Sequence, residues 1–379
     1  MDYATSRVPG SQAQPQEEPH PDRHAWANAG PEDLGDGLYR IPLPLPGDAL
    51  TAVNVYAMTG DHGVDLIDSG MALAQAREQL AAALGQLGYG LPDIRNFFIT
   101  HIHQDHYTLA VELRSTLRSQ QTLRSQQTGP GQIALGEAER ANLAQIQAVS
   151  AGQAQIGFIE MLPALGAAEL AVTVGEMFGS QRTMPPMPGY GDPDRWLADG
   201  ALLDLPGRTL RAIHTPGHTS GHVVFHDPVA DLLFAGDHVL PHITPSIGFQ
   251  PVITRQALSH YLGSLVLMLT LPDSRLLPAH GPVGPSTHAR VRELLDHHET
   301  RLALTLQAAT PGPVTAFTVA AELPWTRRQR KLAELDPMNQ LLATGETAAH
   351  LEVLVNRGQL ARDRAADGID YYRPAAAFA

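Results

Sequence analysis

Phe97-Phe98-Ile99-Thr100-His101-Ile102-His103-Gln104-Asp105-His106 is the stretch that decides how this chain is read. Its first three residues form an apolar run that reads as a buried strand. Three histidines and an aspartate then fall within six residues, where strand gives way to loop. A loop folds back so that His101, His103 and His106 converge, as a straight strand or helix could not. Neutral imidazoles together with a carboxylate suit Zn²⁺, Mn²⁺ or Fe²⁺. A lone histidine is usually a satisfied core residue. Four ligand-type groups at this density have no comparable structural explanation.

Working outward, the flanking segments alternate strand and helix. Gly37 to Pro42 reads as a first strand. Ala52 to Met58 and Val64 to Ile67 are apolar runs separated by the turn signal Asp61-His62-Gly63, which predicts a hairpin. Asp68-Ser69-Gly70 ends it, and Leu73, Ala76, Leu80, Leu84 and Leu87 then follow at helical spacing. Beyond the His-rich stretch, Tyr107 to Leu117 reads as helix and Gln132 to Leu135 as strand. Thr116-Leu-Arg-Ser-Gln120 recurs as Thr122-Leu-Arg-Ser-Gln126, a polar surface duplication rather than a repeat fold. Residues 136–179 are helix-compatible, and Met184-Pro-Pro-Met-Pro-Gly-Tyr190 is a rigid loop. Residues 136–190 therefore read either as a lid or as an inserted pair of helices. Strand character returns at Thr209 to Ile213, His222 to Phe225, Leu232 to Phe234 and Ser274 to Leu277, with helices at Ala257 to Leu269 and Ala289 to Leu304. Two similar halves of strands then helices predict two packed sheets with helices outside.

Three further clusters follow apolar strands: Thr215-Pro-Gly-His218-Thr219, Ala235-Gly-Asp237-His238 and Pro278-Ala-His280-Gly281. In each, glycine lets the backbone turn sharply and point a ligand into a shared site. With these pieces in order, the chain over about residues 37–300 resembles the metallo-β-lactamase superfamily, whose pattern is HxHxDH, then a lone His, a lone Asp and a lone His. The resemblance implies an αββα sandwich. It also implies two divalent metal ions, with Zn favoured over Mn or Fe. His101, His103 and His218 would hold one ion. Asp105, His106 and His280 would hold the other, and Asp237 would bridge them. Two close cations bring a bridging water to hydroxide near neutral pH and polarise a carbonyl or phosphoryl oxygen. Asp105 is the catalytic candidate, managing that hydroxide's proton while ligating a metal. Asp68 either orients a ligand histidine or caps the following helix. His214 and His222 read as polar surface residues, with orientation of a ligand as the alternative. For His238 and His242, lining of the pocket is the minority reading.

Composition narrows the function classes. The 379 residues suffice for about two domains. No apolar run approaches the roughly 20 residues of a membrane span. Residues 1–35 read as a mobile tail rich in Pro, Gln, Glu and Gly, and Met1 to Ala29 lack the apolar region of a secretory signal. With no Cys there is no disulfide, thiolate ligand or Cys nucleophile. A cytoplasmic location is the default expectation. The net charge of −13 disfavours non-specific nucleic-acid binding. Lys331 is the only lysine, which removes Schiff-base chemistry everywhere else.

After Pro311-Gly-Pro313 the character changes, so residues 36–300 read as the catalytic domain and residues 301–379 as a second one. Val314 to Leu323, Asn339 to Leu342 and Thr344 to Asn356 read as helices or helix ends, and Gly358 to Ala361 and Ile369 to Arg373 as a short hairpin. This order resembles the winged helix appended to one branch of the superfamily. That branch includes an endoribonuclease of single-stranded RNA and many bacterial hydrolases of unassigned substrate. The last 79 residues carry nine basic and eight acidic side chains, against 17 and 31 in the first 300. Thr344 to Arg357 would enter a DNA groove, yet it presents Glu346 and Glu352 against only Arg357. A packing or dimerisation module is therefore favoured, with a homodimer possible, duplex DNA disfavoured and single-stranded RNA open.

The reading that follows is a dinuclear metal hydrolase of a small-molecule ester, thioester or lactone, working through a metal-bridging hydroxide. The alternative is a single-stranded RNA endonuclease. A β-lactamase ranks lower because no lysine before Lys331 is present to hold the drug's carboxylate, although Arg could replace it. A metal-binding structural module with a regulatory winged helix is the non-enzymatic reading. The intact open ligand set argues against it.

Overall fold

The computed structural model describes residues 25–46, 50–120, 131–180, 189–326 and 328–376. The second copy of the Thr-Leu-Arg-Ser-Gln duplication, most of the Pro-rich loop before Gly189, and residues 1–24 lie outside them.

Among the described residues, seven strands form one sheet in sequence order: β1 (Glu32–Gly35), β2 (Leu38–Pro44), β3 (Ala52–Gly60), β4 (Gly63–Ile67), β5 (Ile94–Ile99), β6 (Gln132–Gly136) and β7 (Arg195–Leu197). The first four run antiparallel, and β4 to β7 are parallel. A second sheet holds β8 (Leu202–Leu205), β9 (Arg208–His214), β10 (Val223–Asp227), β11 (Leu232–Gly236) and β12 (Arg275–Pro278) in the order β12-β11-β10-β9-β8. In this sheet only β11 and β12 are parallel. The chain order of strands and helices is the expected one, with three differences. Residues 25–35 are not all tail, because β1 pairs with β2. The short strands β7 and β8 carry too few residues to show a period. The helix after the His-rich stretch, α2 (Gln104–Gln120), starts three residues earlier than its apolar pattern, inside the motif itself.

The sheets pack face to face through Leu38, Tyr56, Ile67 and Phe98 of one and Leu210, Phe225, Phe234 and Leu277 of the other. Tyr56 meets Phe234 edge-on at 5.4 Å between centroids. Such aromatic pairs contribute about 0.5–1.5 kcal/mol beyond the area they bury. On the outer face of the first sheet, α1 (Ala74–Gln86) and α2 insert Ala76, Leu80, Leu84, Leu109 and Leu113 against Leu66 and Phe97. On the outer face of the second sheet lie α6 (Ala257–Met268) and α7 (Thr287–Ala309), through Leu258, Leu265, Val291 and Leu294. This is an αββα sandwich.

Between β6 and β7 in the chain, residues 137–180 form α3 (Arg140–Ser150), α4 (Gly157–Met161) and α5 (Ala168–Ser180). Their apolar side chains Leu162, Leu170 and Val174 pack on Leu341. That residue belongs to α9 (Pro337–Asn356) of the C-terminal unit, which also holds α8 (Ala316–Glu322) and the hairpin β13 (Leu360–Arg364) and β14 (Asp370–Pro374). Asp336 starts α9 by accepting from Asn339 N–H, with Pro337 at the first helical position. The unit does not stand apart. Val319, Trp325, Leu351, Leu354 and Tyr372 share one apolar core with α6 and α7. The would-be groove helix is buried over most of Thr344 to Leu354. No described helix is long and apolar enough to cross a membrane.

Candidate metal centre and substrate cleft

The site forms where strands of both sheets end. The His-rich stretch leaves β5, His218 lies in the turn after β9, Asp237 follows β11 and His280 follows β12. Ligand crevices in open sheets characteristically lie beyond strand carboxyl ends. Asp105 and His106 sit in the first turn of α2 rather than in a loop, and a short bend at Ile102 and His103 makes the reversal. Gly236 shows why a glycine is needed next to Asp237. Its φ is +50°, and a Cβ there would lie 2.6 Å from His222 Nε2 and 2.8 Å from Thr100 Cβ.

All seven candidate ligands come together, although they run from His101 to His280 along the chain. His218 Nε2 lies 3.2 Å from His101 Nε2 and 3.0 Å from His103 Nδ1. Asp105 Oδ2 lies 3.4 Å from His106 Nε2 and 3.5 Å from His280 Nε2. Asp237 stands between these two groups. Its Oδ2 is 3.4 Å from His218 Nε2, and its Oδ1 is 3.3 Å from His280 Nε2 and 3.7 Å from His106 Nε2.

The opposite ring nitrogens fix the tautomers. A carbonyl or carboxylate can only accept, so the ring nitrogen facing it donates. His103 Nε2 donates to Phe249 O (2.9 Å), and His218 Nδ1 to Ser246 O (2.7 Å). His280 Nδ1 donates to Ala52 O (2.8 Å), and His106 Nδ1 to Asp68 Oδ2 (2.9 Å). Each ring therefore turns its other nitrogen inward. Burial holds His101 and His103 below the usual histidine range and brings His218 to about 4, so these three present lone pairs at neutral pH. Burial also lowers His106 and His280, but the facing carboxylates outweigh it and raise both. Burial pushes Asp105 up, and His106 with His280 more than reverse that. The cluster thus demands positive charge. His106 Nε2, His280 Nε2 and Asp237 Oδ1 are buried and make no hydrogen bond. The His218 lone pair lies about 3 Å from those of His101 and His103, and with buried polar atoms that make no hydrogen bond beside them this fits divalent cations held by N and O donors. His101, His103 and His218 could hold one ion, and Asp105, His106 and His280 another.

The surrounding residues resolve the readings left open. Asp68 is not a helix cap, because α1 starts at Ala74 after Leu73. Its carboxylate accepts from Thr100 N–H (2.8 Å) and Thr100 Oγ1 (3.0 Å) as well as His106. His222 is not a surface residue. It is fully buried, stacks on His101 at 5.1 Å, and its Nε2 accepts from Asp237 N–H at 3.1 Å. His214 is half-buried and donates to Ser220 O. His238 is buried against the edge of Tyr261, outside the cleft. His242 lines a different cavity, with Arg290, His297 and Arg301. A polar group that sequence reading did not single out braces the His218 turn. Glu139 accepts from Thr219 Oγ1 and from Asn142 Nδ2, and Gln250 Oε1 accepts from Ser220 N–H. Thr100 had a local signal, adjacency to the motif. Glu139 and Gln250 had none, since their partners on the turn are tens of residues away.

The inward groups floor a cleft of about 640 Å³. His103, Asp105, His218 and Asp237 are polar, while Phe158, Tyr190, Phe249, Met71, Met338 and Leu342 make apolar walls. No Lys or Arg lines it among the described residues.

Residues 48–280 match the metallo-beta-lactamase superfamily. The chain belongs to that superfamily. Residues 302–375 match the metallo-beta-lactamase-like C-terminal domain, so the second unit too has counterparts in the superfamily. A metallo-beta-lactamase family protein from Thermus thermophilus is 26% identical, with a TM-score of 0.66 over 90% of this chain and 100% of that one. A beta-lactamase domain protein from Burkholderia ambifaria, at 24% identity, shares the fold with a TM-score of 0.69 over 91% and 94%. Among curated relatives, lactamase-like protein aptB of Emericella nidulans is 36% identical over 123 residues, 32% of this chain and 37% of that protein. Lactamase-like protein vrtG of Penicillium aethiopicum is 35% identical over 135 residues, 34% and 41%. The chain thus spans about two fifths of the length of these curated relatives.

Proposed function

We propose that this protein is a dinuclear divalent-metal hydrolase of a small-molecule ester, thioester or lactone. The observation that carries the reading is the placement of Asp237. One of its oxygens faces the His101–His103–His218 group and the other faces the Asp105–His106–His280 group. In this reading each group of three would hold one ion, with Asp237 facing both, and Zn²⁺ is the favoured ion for such an N and O donor set. Bound metal ions activate water near neutral pH and polarise the scissile carbonyl.

The chain's own residues do the rest. Asp105 is the proton carrier. Its carboxylate, open to the cleft, takes the proton from the attacking water and returns it to the leaving oxygen or sulfur as the acyl bond breaks. The apolar walls exclude water and hold the acyl group. With no cation lining the cleft among the described residues, an uncharged acyl group is favoured over a β-lactam, whose carboxylate needs an anchor. The buried face of α9 supports the packing role of the C-terminal unit and counts against a groove-reading helix. Steady-state rates on acyl-thioesters, esters, lactones, nitrocefin and labelled single-stranded RNA, with defined Zn²⁺ or Mn²⁺, test the assignment. Turnover of RNA alone would replace it with the endonuclease reading.

A further inference from the structure

The C-terminal unit reaches into the cleft. Met338 and Leu342 lie one turn apart near the start of α9, and both line the cavity floored by His103, Asp105 and His218. They pack in one apolar cluster with Leu162, Phe158 and Phe249. Phe158 and Phe249 are 4.9 Å apart between ring centroids, and Phe249 is 6.2 Å from the His103 ring. The wall therefore runs without a break from the C-terminal unit to a candidate metal ligand.

That wall is also held rigidly. Ser246 and Phe249 accept hydrogen bonds from His218 and His103 at one end of a loop. At its other end, Arg255 pairs with Glu352 (3.2 Å) and Asp370 (2.8 Å) of the C-terminal unit. Glu352 is buried and further bound by Arg362 (2.6 Å) and Tyr372 (2.9 Å). Asn356 Nδ2 donates to Gln256 Oε1 at 2.7 Å. These bonds fix the loop and the C-terminal unit against each other, so the wall's apolar side chains present a defined shape to the cleft.

We infer that the C-terminal unit is the acyl-selectivity element of this active site, and that Met338 and Leu342 recognise a bulky apolar acyl group. The inference rests on the hydrolase reading above. The test uses Zn²⁺-reconstituted full-length protein and the variants Met338→Ala, Leu342→Ala and both together. Two readouts are taken: kcat/KM on p-nitrophenyl octanoate and p-nitrophenyl acetate, and fluorescence binding of uncharged N-phenyl-1-naphthylamine. The octanoate-to-acetate ratio is expected to fall about 10-fold or more in the double variant, mainly through KM. Dye affinity should fall with it, and Met338→Leu should keep both near wild type. A ratio and a dye affinity that do not change in the double variant overturn the inference. Failure of the hydrolase reading shows separately, as a wild-type protein without turnover on any ester, thioester or lactone. The dye titration then decides the wall by itself, with undiminished binding in the double variant counting against it.

Discussion

Asp68 Oδ2 lies 2.9 Å from His106 Nδ1, while Oδ1 of the same carboxylate accepts from the Thr100 N–H at 2.8 Å. One buried side chain at the end of β4 therefore sets both the strand exit after β5 and the ring orientation of His106. Asp68 has φ of +60°, a conformation that Asn also tolerates. Asp68→Asn should keep the fold but weaken metal affinity about 10–100-fold, as loss of such an orienting partner typically does. Chelator competition on the purified variant checks this, and wild-type affinity would show that the carboxylate does not orient the ring.

Metal content is the direct check on the two ligand groups. Reconstituted protein should hold two divalent ions per chain, because both sets of three donors converge and Asp237 faces each. Elemental analysis giving one ion would remove Asp105, His106 and His280 as a second site.

Asp105→Ala should lower kcat about 10²–10⁴-fold, the usual worth of positioned acid–base help, with much less effect on substrate binding. Asp237→Ala should be comparably severe. His62→Ala should change little, since His62 pairs with Asp65 at the β3–β4 turn, away from the cleft. Metal occupancy is measured on each variant beside the rate. Near-normal turnover by Asp105→Ala would rule out its role as proton carrier.

The buried pair His298 and His350 should make stability fall with acid. His298 Nδ1 donates to His350 Nε2 at 3.3 Å, and His350 Nδ1 donates to Glu346 O at 2.8 Å. Burial first, then the neighbouring rings and Arg301, bring His298 down to about 3; burial brings His350 to about 4. Above pH of about 6.5 both are neutral folded and unfolded, so they add no pH dependence. As pH falls below that, only the unfolded chain takes up these protons. Stability then drops by about 1.4 kcal/mol per pH unit for each ring, until the folded values are reached. Urea unfolding at pH 7 and pH 5 should show a steeper loss in wild type than in His298→Leu/His350→Leu. Equal losses would show that the pair does not titrate on unfolding.

Duplex DNA should bind weakly and without sequence preference. In α9 the stretch from Thr347 to Leu354 is buried, and Glu352 is committed to Arg255, Arg362 and Tyr372. Tight, specific binding in an anisotropy titration at physiological salt would overturn this.

What the sequence determined by itself was whatever depends on neighbours along the chain. Apolar periods marked β3, β4, β5 and α1. The spacing of His101, His103, Asp105 and His106, with glycines beside His218, Asp237 and His280, marked the candidate ligands that the structure brings together, and through the family resemblance the fold. Local spacing does not report which atoms meet across the chain. Asp68 could orient a ring or cap a helix until β4 and β5 were paired side by side. His222 looked like a surface residue because nothing nearby in sequence shows that it stacks on His101. Glu352 looked like a charge turned against DNA, and it is a buried anchor for Arg255, 97 residues away. The C-terminal unit looked separable, yet Met338 and Leu342 line the cleft. Only the tertiary structure decides such matters, because burial and hydrogen bonding depend on distance in space, and folding brings distant residues together.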